Sequence, residues 1–270
     1  MVVPLEDFYE DIIGKAQRGL KLSDEAILAN ADITEKAWKD ALSGGFDEAT
    51  ARAVAPVLNL HPEALVAAGK KTWKPHPVDL EGLDQFNTPF DDMTVNAYVV
   101  WDPATKAAAL FDSGGNADPM IELIDGLGLK VEAILLTHSH PDHIYDLPKL
   151  QLKYPEVSTW IHESATVDNT KRFSEGKSFE IGGLKIDTRH TPGHSADGVT
   201  FVVNGLAKPV AIVGDAIFSG SMGGAPSAWK DALAVNREKI FSLPDATVVC
   251  PGHGPMSTVG EESCHNPYYA

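Results

Sequence analysis

The stretch "LLTHSHPDHIYD", residues 135–146, places three histidines and an aspartate within six positions, directly behind an apolar run. A short apolar run of this kind fits a buried strand. The residues after it must then emerge at a sheet edge, where their side chains can turn into a cleft. His138 and His140 lie two apart and share one side of an extended backbone. Pro141 bends the chain next, so that Asp142 and His143 reach a second point nearby. Imidazole nitrogens with a carboxylate suit zinc, or iron and manganese with less selectivity.

Later stretches repeat the arrangement of apolar strand, turn or strand end, and one metal-type side chain. "DTRHTPGHS" presents His194, "AIVGDAIFSG" presents Asp215, and "VVCPGHGP" presents His253. A lone histidine is more often a satisfied structural residue. Placed in this order behind the first cluster, these point to one shared site.

Around these ligands the chain reads as a helical head and a mixed body. Helices are expected over residues 7–20, after Ser23, after Thr34, after Asp47 and over 61–68, with Pro56 kinking or stopping the fourth. "KKTWKPHPVDL" reads as a linker. Beyond it, strands are expected over 97–101, 107–111, 131–136, 158–161, 184–189, 198–203, 210–213 and 247–250. Helices are expected over 121–127, 144–153 and 228–243. The division is residues 1–70 helical, 71–84 linker and 85–270 catalytic.

His-x-His-x-Asp-His at 138–143, followed by His194, Asp215 and His253, resembles the metallo-β-lactamase superfamily. "TVNAYVV" and "FDSGG" are similar to its early strands, while "GDAIFSG" and "PGHGPMSTVGEESCHNPYY" resemble its glyoxalase II-like (hydroxyacylglutathione hydrolase-like) branch. The resemblance implies an α/β fold, an αβ/βα sandwich with two divalent metal ions at one edge, zinc foremost and iron or manganese also compatible. One ion would be held by His138, His140 and His194, the other by Asp142, His143 and His253, with Asp215 bridging. It implies hydrolysis of a small ester or thioester by a metal-bridging hydroxide, with Asp142 also orienting the nucleophile or passing a proton. An iron-dependent persulfide dioxygenase and a lactonase share the ligand set. Asp112 is a candidate to support a ligand histidine; His162 and His190 read first as structural residues, with a hydrogen bond behind the site as the alternative for either. Tyr145 stands where glyoxalase II-like members commonly carry glycine, and either lines the substrate mouth or packs on its helix. Those enzymes add a C-terminal helical unit for glutathione, whereas this sequence stops after Tyr269-Ala270.

The head resembles a lambda-repressor-like helix-turn-helix unit, which raises a further reading, a metal- or ligand-sensing DNA-binding regulator. Charge opposes it. Residues 1–70 hold 12 acids and 7 bases, and "TEKAWKDAL", the would-be reading helix, offers only Lys36 and Lys39 beside Glu35 and Asp40. The whole chain carries −16, which disfavours nucleic acid and anionic membrane. The expected partner is a small-molecule substrate, with homo-oligomerisation through the head as an added expectation. No apolar run reaches membrane-spanning length and the N-terminus has no secretory pattern, so a cytoplasmic location is expected. Cys250 and Cys264 make no disulfide framework. His265 is expected near a disordered end.

Overall fold

The computed structural model describes residues 3–270. Five helices come first: α1 (Tyr9–Leu20), α2 (Asp24–Ala31), α3 (Glu35–Leu42), α4 (Glu48–Val57) and α5 (Pro62–Lys70). Side chains of Ser23, Thr34 and Asp47 accept from the backbone N–H three residues on, which fixes the starts of α2, α3 and α4. His61 does the same for α5 through its ring. Asp7 lies before α1 and is buried, so the first helix starts later than expected. Helix α4 runs one residue past Pro56.

The body is built from two six-stranded sheets. The first orders β1 (Leu83–Phe90), β2 (Met93–Trp101), β3 (Ala107–Phe111), β4 (Lys130–Leu135), β5 (Ser158–His162) and β6 (Lys171–Phe173). In the second, β7 (Ser178–Ile181), β8 (Leu184–His190), β9 (Val199–Asn204), β10 (Val210–Gly214), β11 (Val248–Pro251) and β12 (Ser257–Thr258) lie side by side. Alternation sorts the side chains. Tyr98, Val100, Ala109, Phe111 and Leu135 face the second sheet, against Phe201, Val203 and Ile212. Their neighbours Val99, Leu110 and Ile134 face outward onto α6 (Asp118–Leu127) and α8 (Leu147–Lys153). On the far side, Ala211, Val213 and Val249 pack with Ile240 and Leu243, which follow α9 (Trp229–Lys239). Each fully buried side chain of this size contributes about 1.5–3 kcal/mol. Helices on both outer faces explain why β2, β3 and β10 are apolar without a polar side.

Several expectations change. Strands β1, β6, β7 and β12 were not anticipated, since β1 (LDQFNTPF) carries no apolar alternation. The helix expected over 144–153 is two, α7 (Pro141–Ile144) and α8, broken at Tyr145 and Asp146. The one expected over 228–243 ends at Lys239. The C-terminus is ordered: α10 (Val259–His265) is followed by buried Asn266 and Tyr268. His265 stacks on Trp73 with ring centroids 5.1 Å apart.

Head and body share a core. Ile12, Ile13, Trp38 and Leu65 cluster with Met222, Trp229 and Tyr268. The Tyr268 hydroxyl donates to the Ile12 carbonyl at 2.7 Å. Gly19 has no alternative here, because a Cβ would lie 2.1 Å from the Trp229 ring. Helix α3 is electrostatically closed. Lys36 pairs with Asp40 at 2.8 Å and Lys39 with Glu35 at 2.5 Å, while Trp38 is buried. Among the described residues, no helix is long and apolar enough to cross a membrane.

Glu262 on α10 is fully buried and accepts from the Gly220 N–H at 3.0 Å and the Asn266 amide at 2.9 Å. Burial pushes its pKa up from 4.5 to about 7, against the pull of Ser257, Asn266 and Gly220. A raised folded-state pKa favours the protonated fold, so stability is full below pH 4.5 and falls as the pH rises through about 7. Glu262→Gln removes that loss and is expected to stabilise the protein at pH 8 by on the order of 3 kcal/mol. Urea unfolding at pH 5 and pH 8 checks it; an equal effect at both refutes the assignment.

Candidate metal centre

The sandwich brings strand ends together at one edge. Strands β3 and β4 run parallel, and so do β10 and β11, so each pair delivers its carboxyl ends to the same side. Thr137 and His138 follow β4, Asp215 follows β10 and His253 follows β11. His194 comes from the Thr191-Pro192-Gly193 turn after β8.

All seven candidates from the sequence converge there. Ligand-type atoms fall into groups within 4.8 Å of one another: His138, His140 and His194; His138, His143 and Asp215; Asp142, His143 and His253. Asp215 spans the first and last groups. One of its oxygens lies 3.3 Å from His143 Nε2, the other 3.3 Å from His194 Nε2 and 3.5 Å from His253 Nε2. Asp142 lies 3.2 Å from His253 Nε2 and 3.5 Å from His143 Nε2.

The ring nitrogens facing away from the cluster are tied. His143 Nδ1 donates to Asp112 Oδ2 at 2.8 Å, His253 Nδ1 to the Thr94 carbonyl at 2.7 Å, and His194 Nδ1 to the Gly224 carbonyl at 3.1 Å. His138 Nδ1 meets Thr137 Oγ1 at 3.0 Å, and that hydroxyl donates to Asp112 at 2.7 Å. Asp112 thus orients two rings, directly and through Thr137, and each tied ring presents its Nε2 lone pair inward. His138 Nε2, His143 Nε2 and Asp215 Oδ1 are buried there without a hydrogen-bond partner. Buried polar atoms that hold no hydrogen bond are costly unless a cation meets them. The donor set therefore fits divalent metal.

Charge balance points the same way. Burial lowers the His138 and His194 pKa values. Burial would also lower that of His143, but Asp215 and Asp112 hold it up to about 10. For His253 the same opposition, with Asp142 and Asp215 raising it, ends at about 11. Burial would raise Asp142 and Asp215, yet their histidine neighbours keep Asp142 down to about 2 and Asp215 well below its ordinary value. Two carboxylates thus face two imidazoliums, where protons occupy the place of cations.

Other expectations resolve differently. His162 and His190 stack on each other at 4.0 Å and touch no ligand ring; His190 Nε2 instead donates to the Ala196 carbonyl at 2.9 Å. Tyr145 is 64% exposed, with its ring edge-on to Phe90 at 5.3 Å. Sequence reasoning missed Thr137, the Thr94 and Gly224 carbonyls, and two glycines. A Cβ on Gly252 would lie 2.0 Å from Asp215 Oδ1, and one on Gly223 would lie 2.1 Å from the Asp215 carbonyl. The Pro-Gly-His-Gly run carried that signal for Gly252; backbone carbonyls leave none.

Asp112→Asn should lower the His143 pKa in the metal-free protein below about 10, since Asp112 both attracts the imidazolium and accepts its Nδ1 proton. A histidine-resolved NMR titration measures it, and an unchanged value refutes the pairing.

Residues 90–253 match the family model of the metallo-beta-lactamase superfamily. The hydroxyacylglutathione hydrolase GloC of Haemophilus influenzae is 28% identical over 198 residues, covering 64% of this chain and 92% of that protein. A hydroxyacylglutathione hydrolase of Xylella fastidiosa is 33% identical over 159 residues, 58% of this chain and 60% of its own length. The solved structure of the BLEG-1 B3 metallo-beta-lactamase superposes with a TM-score of 0.60 at 29% identity, covering 70% of this chain and 99% of that one.

Proposed function

Because the chain belongs to the metallo-β-lactamase superfamily, we propose that it hydrolyses a small ester or thioester with two divalent metal ions held at this edge. His138, His140 and His194 would hold one, Asp142, His143 and His253 the other, and Asp215 would reach both. The observation that carries this reading is the convergence of buried ligand-type atoms, His138 Nε2, His143 Nε2 and Asp215 Oδ1, that hold no hydrogen bond and gather within 4.8 Å of one another. Bound there, a metal pair acidifies water toward neutrality and stabilises negative charge on a carbonyl oxygen.

The protein's own residues do the rest. Asp112, the Thr94 carbonyl and the Gly224 carbonyl fix ring orientation, so reacting partners meet without reorganisation. The Asp142 side chain is the more open of the two carboxylates, 14% exposed against 7% for Asp215. From that position it orients the attacking water and accepts or returns its proton. A thioester fits well, because a thiolate leaves readily and the names of the relatives point to one.

Protein loaded with zinc, manganese or iron is expected to bind two equivalents and to turn over small acyl thioesters. Asp142→Ala should cost about 100-fold or more in kcat, the range for a positioned acid–base group. Metal analysis and a thiol-release assay decide. Metal uptake with oxygen consumption on glutathione persulfide, and no hydrolysis, would transfer the site to oxidative chemistry.

A further inference from the structure

The loop after Asp215 is fastened from outside the sandwich. It folds back on itself through paired backbone bonds of 3.0 Å between Phe218 and Ser221. It then returns to the site, where the Gly223 N–H donates to the Asp215 carbonyl at 3.1 Å and the Gly224 carbonyl accepts from His194. The middle of this loop is held by the helical head. Asp7, just before α1, accepts from the Ser221 hydroxyl and pairs with Lys15 of α1. The Lys15 ammonium also donates to the Met222 carbonyl at 3.0 Å and sits 5.0 Å from the centre of the Phe218 ring. That ring in turn lies edge-on to His253 at 5.5 Å.

Asp7 is buried, 8% exposed, and Lys15 is largely covered at 15%. A buried ion pair is a poor source of stability, because desolvation offsets its attraction. Its value lies in direction. Between them, the two groups fix one side chain and one carbonyl at consecutive loop residues, Ser221 and Met222. The next residues, Gly223 and Gly224, have no side chains of their own to hold a position against Asp215 and His194. Asp7 and Lys15 also lie outside residues 90–253, the part matched by the family model.

We infer that Asp7 and Lys15 are positioning residues for the metal centre: the head clamps the 218–224 loop and so sets His194 and Asp215. The inference rests on the metal reading above. Groups that orient metal ligands from outside typically govern affinity by 10–100-fold.

The test uses the full-length protein loaded with cobalt(II), whose visible spectrum reports ligand geometry, and times release to a chelator. The double substitution Asp7→Leu with Lys15→Met removes both buried charges together, so neither is left unpaired. It is expected to melt close to wild type without metal, to shift the cobalt bands, and to release metal about 10-fold faster or more. Lys15→Arg, which keeps the charge opposite Asp7, should release metal at close to the wild-type rate. Ser221→Ala, a smaller change, carries the same expectation at reduced size and stands in if the double variant does not fold. Wild-type spectra and release rates in the variants overturn the inference. Wild-type protein that takes up no cobalt overturns the metal reading itself.

Discussion

The Asp215 carboxylate is the interaction on which the site depends. It is buried among three imidazoles, and its two oxygens point to different neighbours, one to His143 and the other to His194 and His253. A charge so placed costs several kcal/mol unless positive charge meets it. Everything around it supplies that charge or aims it. Gly214, at φ 51°, turns the chain out of β10, and Gly252 and Gly223 clear the space that a methyl group would fill. Asp112 acts one shell further out by holding His143 and the Thr137 hydroxyl.

The helical head belongs to this arrangement. Its core is continuous with Met222, Trp229 and Tyr268 of the body, so head and body bury one another's apolar surface. The reading helix of a DNA-binding unit needs free cations, and α3 has its two lysines committed to its own acids. A surface neutralised in this way has little to offer phosphate.

Much of the body was legible from sequence because its signals are local. Apolar runs such as 107–111 and 131–136 announce buried strands, and ligands placed immediately after strands announce a site at their ends. What escaped is non-local. Strand β1 has mixed polarity because it lies at the edge of the first sheet with most of its side chains only half-buried. The C-terminal "SCHNPYY" looks like a loose end by composition; it is ordered because Tyr268 reaches the Ile12 carbonyl in the head. Asp7 and Lys15 gave no sign of their role, since their loop partners, Ser221 and Met222 respectively, sit more than two hundred positions away.

Ownership of the cluster is divided between the two halves of the sandwich. His138, His140, Asp142 and His143 extend from the first sheet, whereas His194, Asp215 and His253 extend from the second. Neither half owns a full set, so the gap between the layers sets the spacing of the two hands that meet across it. Packed sheets sit about 10 Å apart, at a distance determined by the bulk of the side chains between them. Phe111 and Phe201, in contact at 5.4 Å, act as spacers in that sense. Exchanging either ring for a slimmer residue would let the layers settle, and the grip at the far edge would change although no gripping residue had been touched.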